Sequence, residues 1–194
     1  MVNKMNKAEV FYPVNQAAWR EWLAQNHVSK QSVWLVFYSK SSNKTSITWS
    51  EAVDVALCFG WIDSKKIKID DERAHQFFSK RKPNSTWSKI NKEKVARLID
   101  NGAMTEGGLV GIEIAKQNGS WTILDEVEAL TIPPDLAKAF QKHSGSEDYF
   151  LSLSKTIKKM MLQWVVLAKQ SKTRQRRIEE IAELAGQNKK PKPF

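Results

Sequence analysis

The sequence predicts an α+β fold: a small antiparallel sheet with helices in the N-terminal half, followed by an all-helical C-terminal part. Strand-like patterns stop after Lys80, whereas capped helical periodicity continues from Ser88 almost to the end. A chain of 194 residues with 41% hydrophobic content can also build an ordinary core without staples. The expected division is 1–120 for an α+β domain carrying the candidate site, 121–187 for a helical part and 188–194 for a disordered basic tail. The boundary falls in the Gly119 to Pro134 connection that contains Trp121.

Taken in order, Asn15 caps a helix whose residues Ala18, Trp19, Trp22 and Leu23 form one apolar stripe, and Asn26-His27 ends it. Val33 to Tyr38 is aromatic and β-branched, apolar at both alternating sets of positions. It reads as a central strand covered on both sides. After the polar loop Ser39 to Ser46, Thr48 and Glu51 have capping-box spacing for a helix that turns Ala52, Val53, Ala56 and Leu57 inward and stops at Gly60.

Ile62 to Ile69 and Arg73 to Lys80 have strand composition, with no room between them for a crossover helix, so they form a hairpin. If Asp70 and Asp71 are the two loop residues, Gly60 lies opposite Arg81, Ile62 opposite Ser79 and Ser64 opposite Phe77. Arg73 is then roughly 26 Å from Arg81 along the strand.

Helical patterns follow. Ser88 caps one helix with Val95, Leu98 and Ile99 inward, and Thr105 caps another running through Leu109, Ile112 and Ala115 to Gly119. Pro133-Pro134 suits a helix start before Leu136 and Phe140. The residues Ile157, Met160, Met161, Trp164, Val165 and Ala168, then Ile178, Ile181, Ala182 and Ala185, follow the helical template.

The formal net charge is +10, and it is unevenly placed: Ser154 to Phe194 holds 11 of the 31 basic residues against 3 of the 21 acidic ones. A positive end is a footprint for nucleic acid, an anionic surface or an acidic protein. Lys169, Lys172, Arg174, Arg176 and Arg177 are the candidate polyanion contacts, and the competing reading is a solvated helix face. One cysteine and three scattered histidines give no metal-ligand spacing, so no metal is expected. No phosphate loop or dinucleotide fingerprint occurs, and no cofactor is expected. The polar start Met1 to Lys7 lacks a signal peptide's apolar stretch, and no window approaches the roughly 18 apolar residues of a membrane span. A cytoplasmic protein without membrane insertion is expected.

Chemistry-bearing residues concentrate between Leu57 and Asn91. Arg81 and Lys82, beside Ser79, Ser85 and Ser88, form an anion cradle: guanidinium offers bidentate contacts, and a helix beginning near Ser88 presents free N–H groups. Gly60 would let a ligand approach, Trp61 and Trp87 are either core or pocket wall, and Asn91 either orients a ligand or supports the cap. Ser64 and Phe77 complete the candidate ligand set. Asp63 is the one carboxylate there; it either pairs with Arg81 or Lys80 or acts as a base, and single carboxylates rarely carry acid/base work unaided. No Ser/His/Asp ordering suggests a triad, so no catalytic residue is assigned.

The combination of Trp19-x-x-Trp22-Leu23, Val33 to Tyr38, Glu51-Ala52, Ala56 to Ser64, Arg81-Lys82-Pro83 and Ser85-Thr86-Trp87-Ser88-x-x-Asn91 resembles the YdeI/OmpD-associated family, also labelled bacteriocin-protection proteins. The likeness continues through Gly102-x-Met104, Ala115-Lys116-x-x-Gly119-x-Trp121, Trp164-x-x-x-Ala168-Lys169 and Thr173-Arg174-x-x-Arg177-Ile178. It implies tolerance of cationic antimicrobial peptides and envelope stress, with no settled reaction or cofactor.

Three function classes are therefore compatible with the sequence. The first, and favoured, is a non-catalytic stress or peptide-tolerance protein that binds a small anionic ligand or an acidic partner at the Trp61, Arg81 and Ser88 region. The second is an enzyme acting on a phosphorylated or acyl small molecule, with Asp63 as base. The third is a weak, nonspecific binder of nucleic acid or anionic surfaces through the basic C-terminal helix.

Overall fold

The computed structural model describes residues 9–192 and 194; the polar start Met1 to Lys7, and Pro193 of the expected tail, lie outside them. The fold is α+β. The chain gathers into two units, the first running through Ser85 and again from Ile90 to Trp121, the second made of Thr86–Lys89 and Thr122–Phe194.

The first unit holds one sheet of order β1-β2-β4-β3, formed by β1 (Glu9–Phe11), β2 (Ser32–Tyr38), β3 (Trp61–Lys68) and β4 (Arg73–Lys80). The antiparallel set of the sequence reading is β2, β4 and β3. β1 adds a parallel edge, pairing Val10 with Trp34, and three residues are too few to give a strand pattern.

Near its open end the hairpin has the expected register, with Trp61 opposite Lys80 and Ile62 opposite Ser79. Farther out, Lys66 lies opposite Gln76, so Ser64 and Lys65 together face Phe77, and the expected Ser64–Phe77 pair is replaced by a bulge. The cause lies at the turn. Ile69 N–H donates to the Arg73 carbonyl, leaving three loop residues rather than two, and the Asp70 carboxylate accepts from the N–H groups of Glu72 and Arg73. One extra loop residue is offset by one extra strand residue.

Helices α1 (Gln16–Asn26) and α2 (Trp49–Cys58) cover one face of the sheet. Asn15 caps α1 by accepting from Ala18 N–H at 2.9 Å, and Thr48 with Glu51 forms the expected capping box on α2. Trp19 and Trp22 meet Phe78 and Trp61 in edge contacts at 5.5 and 5.9 Å, and Val33 and Leu35 fill the remainder. Burying each of these large side chains is worth roughly 1.5–3 kcal/mol. The Trp19 indole N–H donates to the Ala52 carbonyl at 3.0 Å, which pins α1 to α2.

The other face differs from the expectation of a strand covered on both sides. Val36 is buried, but Trp34, Tyr38, His75 and Phe77 are only half-buried, and Val10 and Ile67 remain 54% and 41% exposed. A continuous apolar run looks the same whether its second face meets a helix or is lined by partly solvated aromatics.

Two further helices complete the unit, α3 (Lys89–Asp100), whose first residue belongs to the second unit, and α4 (Glu106–Gln117). Lys94 and Arg97 both pair with Asp54, joining α3 to α2. Thr105 does not cap α4 with its side chain; the hydroxyl and the backbone N–H both donate to the Cys58 carbonyl at the end of α2. Ile99, expected inward, is 46% exposed, and Leu109 on α4 is 43% exposed.

The second unit is helical: α5 (Asp125–Glu128), α6 (Pro134–Phe140), α7 (Ser146–Ser152), α8 (Lys155–Val166) and α9 (Ser171–Gly186). Its core gathers Leu136, Phe140, Phe150, Met161, Leu162, Val165, Ile178 and Ile181. Within the expected tail, Pro191 is buried and Phe194 meets Trp164 edge-on at 5.5 Å.

Candidate functional site

The end of α2 fixes the start of the candidate site. Gly60 has φ +71°, and a Cβ there would stand 2.9 Å from the Gly107 carbonyl oxygen. The space expected to admit a ligand at Gly60 is thus occupied by α4, and glycine is required both for its left-handed backbone and for this close approach. Trp61, the next residue, is wholly buried beneath Trp22 and has no solvent-facing surface to offer a ligand. Its role as pocket wall gives way to core packing.

Asp63 sits on the helix-covered face. Its Oδ2 accepts from the Trp49 indole N–H at 2.9 Å and from the Gln76 amide at 3.2 Å, and the same Gln76 nitrogen donates to the Ser64 carbonyl. Gln76 is buried, so this small network satisfies its amide where water does not reach. Sequence reading missed Trp49 and Gln76, since neither has a spacing that marks it as a partner of Asp63.

Phe77 and Ser79 project from the opposite face of the sheet, as the alternation along β4 requires, because Phe78 and Gln76 are the buried positions. The sheet itself therefore divides the proposed cluster: Trp61 and Asp63 on one side, Phe77 and Ser79 on the other.

Arg81 follows β4. Its N–H donates to the Gly60 carbonyl at 2.9 Å, which is the pairing the hairpin register implied. Burial pushes its guanidinium down to about 10, with the Asp63 carboxylate pulling the other way, so it stays charged at neutral pH. It is a half-buried cation, not the exposed one a sequence suggests. Lys80 is committed elsewhere, its ammonium donating to the Val28 carbonyl at 2.7 Å. Lys82 is exposed. The following turn closes with Ser85 N–H on the Lys82 carbonyl, and Asn118 and Ser120 both donate to the Pro83 carbonyl, tying the turn to the end of α4. Asn91 is half-buried on α3. Trp87, buried, and Ser88, half-buried, belong to the second unit rather than the first. Cys58 is buried with its thiol donating to the Asp54 carbonyl, and burial raises its pKa, consistent with a packing role.

The five C-terminal cations separate into two kinds. Arg174 grips Asp135 with two nitrogens at 2.7 and 3.0 Å, and Arg177 donates to the Trp164 carbonyl at 2.6 Å while lying 4.9 Å over the Trp164 ring. These two hold the helical unit together. Lys169, Lys172 and Arg176 are exposed. Among the described residues, no cluster of His, Cys, Asp and Glu has metal-binding geometry, and no helix is long and apolar enough to cross a membrane.

The chain belongs to the family described as a domain of unknown function (DUF8412), whose model matches residues 11–110. Residues 129–188 match the model of OmdA, described as bacteriocin-protection, YdeI or OmpD-associated, which supports the family that the sequence resembles. The string Ala56 to Ser64, part of that resemblance, lies within the first match rather than the second. No curated protein and no solved structure matches the chain.

Proposed function

We propose that this chain acts in bacteriocin protection without catalysing a reaction, by holding a small anionic ligand or an acidic partner at the exit of β4, with Arg81 and Lys82 as the recognising cations and Ser85 beside them. The bacteriocin-protection description of the model matched by residues 129–188 supports the process. The carrying observation for the site is Arg81, a partly desolvated guanidinium whose backbone N–H donates to the Gly60 carbonyl and which is followed by the exposed Lys82. The net charge of +10 favours an anion over direct capture of a cationic peptide, which the protein's own field repels. Asp63 is occupied as a double acceptor, which supports a structural role for it over that of a general base.

The test is calorimetric titration with inorganic phosphate and with phosphate-bearing metabolites. Arg81→Lys keeps the charge but loses the planar fork, so binding should weaken about ten-fold while the melting temperature stays close to wild type. Unchanged binding in Arg81→Lys and in Lys82→Ala would overturn the assignment.

A further inference from the structure

The sheet face turned away from α1 and α2 carries Trp34 and Phe77 as cross-strand neighbours, with ring centroids 4.9 Å apart, His75 6.5 Å from Trp34, and Tyr38 at the far end of β2. These rings are half-buried, so each retains surface open to solvent. Cations lie over them. The Lys65 ammonium stands 5.2 Å from the Trp34 ring and 5.5 Å from the Phe77 ring, and that of Lys44 4.9 Å from the Tyr38 ring. Lys65 reaches this face because of the bulge: in an unbroken register it would alternate to the helix-covered side opposite Gln76, whereas the extra residue brings it beside Phe77. Burial lowers the pKa of His75, leaving a neutral ring suited to stacking. Among the described residues no strand position on this face is acidic. Glu9 and Asp63 belong to the other face by their pairing with Val33 and Phe78, and Asp70 at the hairpin tip is engaged by Arg73.

We propose that this face is a binding platform for single-stranded nucleic acid, with bases stacking on Trp34 and Phe77 and with Lys65 and Lys44 moving from the rings to backbone phosphates. Aromatic rings with adjacent cations and no acidic strand position suit a strand of stacked bases on a polyanionic backbone. A second copy of the chain would oppose like charges, Lys65 and Lys44 against themselves, which argues against self-association through this face. This site is distinct from the β4 exit, and it does not depend on the basic C-terminal helix.

The measurement is fluorescence anisotropy of a short labelled oligodeoxythymidylate titrated with the full chain at low salt. Trp34→Leu and Phe77→Leu should each weaken binding about five-fold or more, the loss expected for one stacked base. Lys65→Glu, a change at an exposed position, should also weaken it, with an unchanged melting temperature separating the loss from misfolding. Lys172→Gln with Arg176→Gln should leave most of the binding in place. Absence of binding, equal binding by the sheet-face variants and wild type, loss confined to the Lys172 and Arg176 variant, or concentration-dependent self-association abolished by Lys65→Glu would each overturn the proposal.

Discussion

Two glycines with nearly the same backbone conformation separate local strain from packing. Gly60 and Gly102 have φ +71° and +64°, but a Cβ at Gly102 meets nothing within 4 Å, whereas at Gly60 it meets the Gly107 carbonyl at 2.9 Å. Gly102→Ala should therefore cost only the left-handed penalty, about 1–2 kcal/mol, and Gly60→Ala distinctly more, because α4 must also move. Chemical denaturation of the two variants checks the order, and equal losses would show that α4 yields without cost. Gly60 was legible as a helix stop. The nearness of α4 was not, since it depends on a helix beginning more than forty residues later. Trp61 carries the same lesson: its size marked it as important, but the ring packed against it, Trp22, comes from α1.

Among elements, the hairpin and the α6–α9 pair give the sharpest expectations. Replacing Asp70 with Ala removes the acceptor of two backbone N–H groups and the partner of Arg73, so the three-residue turn should loosen. Faster amide exchange at Glu72 and Arg73, with exchange near Trp61 unaltered, is the expected signature. Asp135 behaves as a paired carboxylate: the bidentate Arg174 contact holds its pKa below the usual range. Its contribution to stability is thus complete above the unfolded pKa of about 4 and disappears as pH falls through the lower folded value. Asp135→Asn should melt earlier than wild type at neutral pH, and the difference should close in acid; a gap that persists at low pH would mean that the ion pair is not its source. The pattern of strands and helices was readable because periodicity and capping residues are local signals. The bulge at Ser64 and Lys65 was not, because neither residue has backbone freedom that announces it and its cause is the length of a loop several residues away.

At the scale of the whole molecule, charge was visible in the sequence but its availability was not. Of the five C-terminal cations, Arg174 and Arg177 are spent on Asp135 and Trp164, which leaves Lys169, Lys172 and Arg176 facing solvent. Polyanion binding through that helix should consequently be weak, with a salt slope corresponding to about three phosphate contacts or fewer. A steeper dependence in a Lys65→Glu background would return the arginines to the interface. The short stretch Thr86–Lys89, which belongs to the second unit, carries no compositional signal that sets it apart from the residues around it.

That stretch also sets an order of events as the chain is made. Trp87 is 2% exposed in the finished protein, yet its unit is otherwise supplied by Thr122–Phe194, which leaves the ribosome later. At ordinary rates of synthesis Thr86–Lys89 waits on the order of ten seconds for the rest of its unit. During that interval the first unit gains its last residues, Ile90–Trp121, while the second holds four of its own. No single cut between the two units leaves both whole, so a stretch made in the middle of the first unit is completed only when the second has been synthesised.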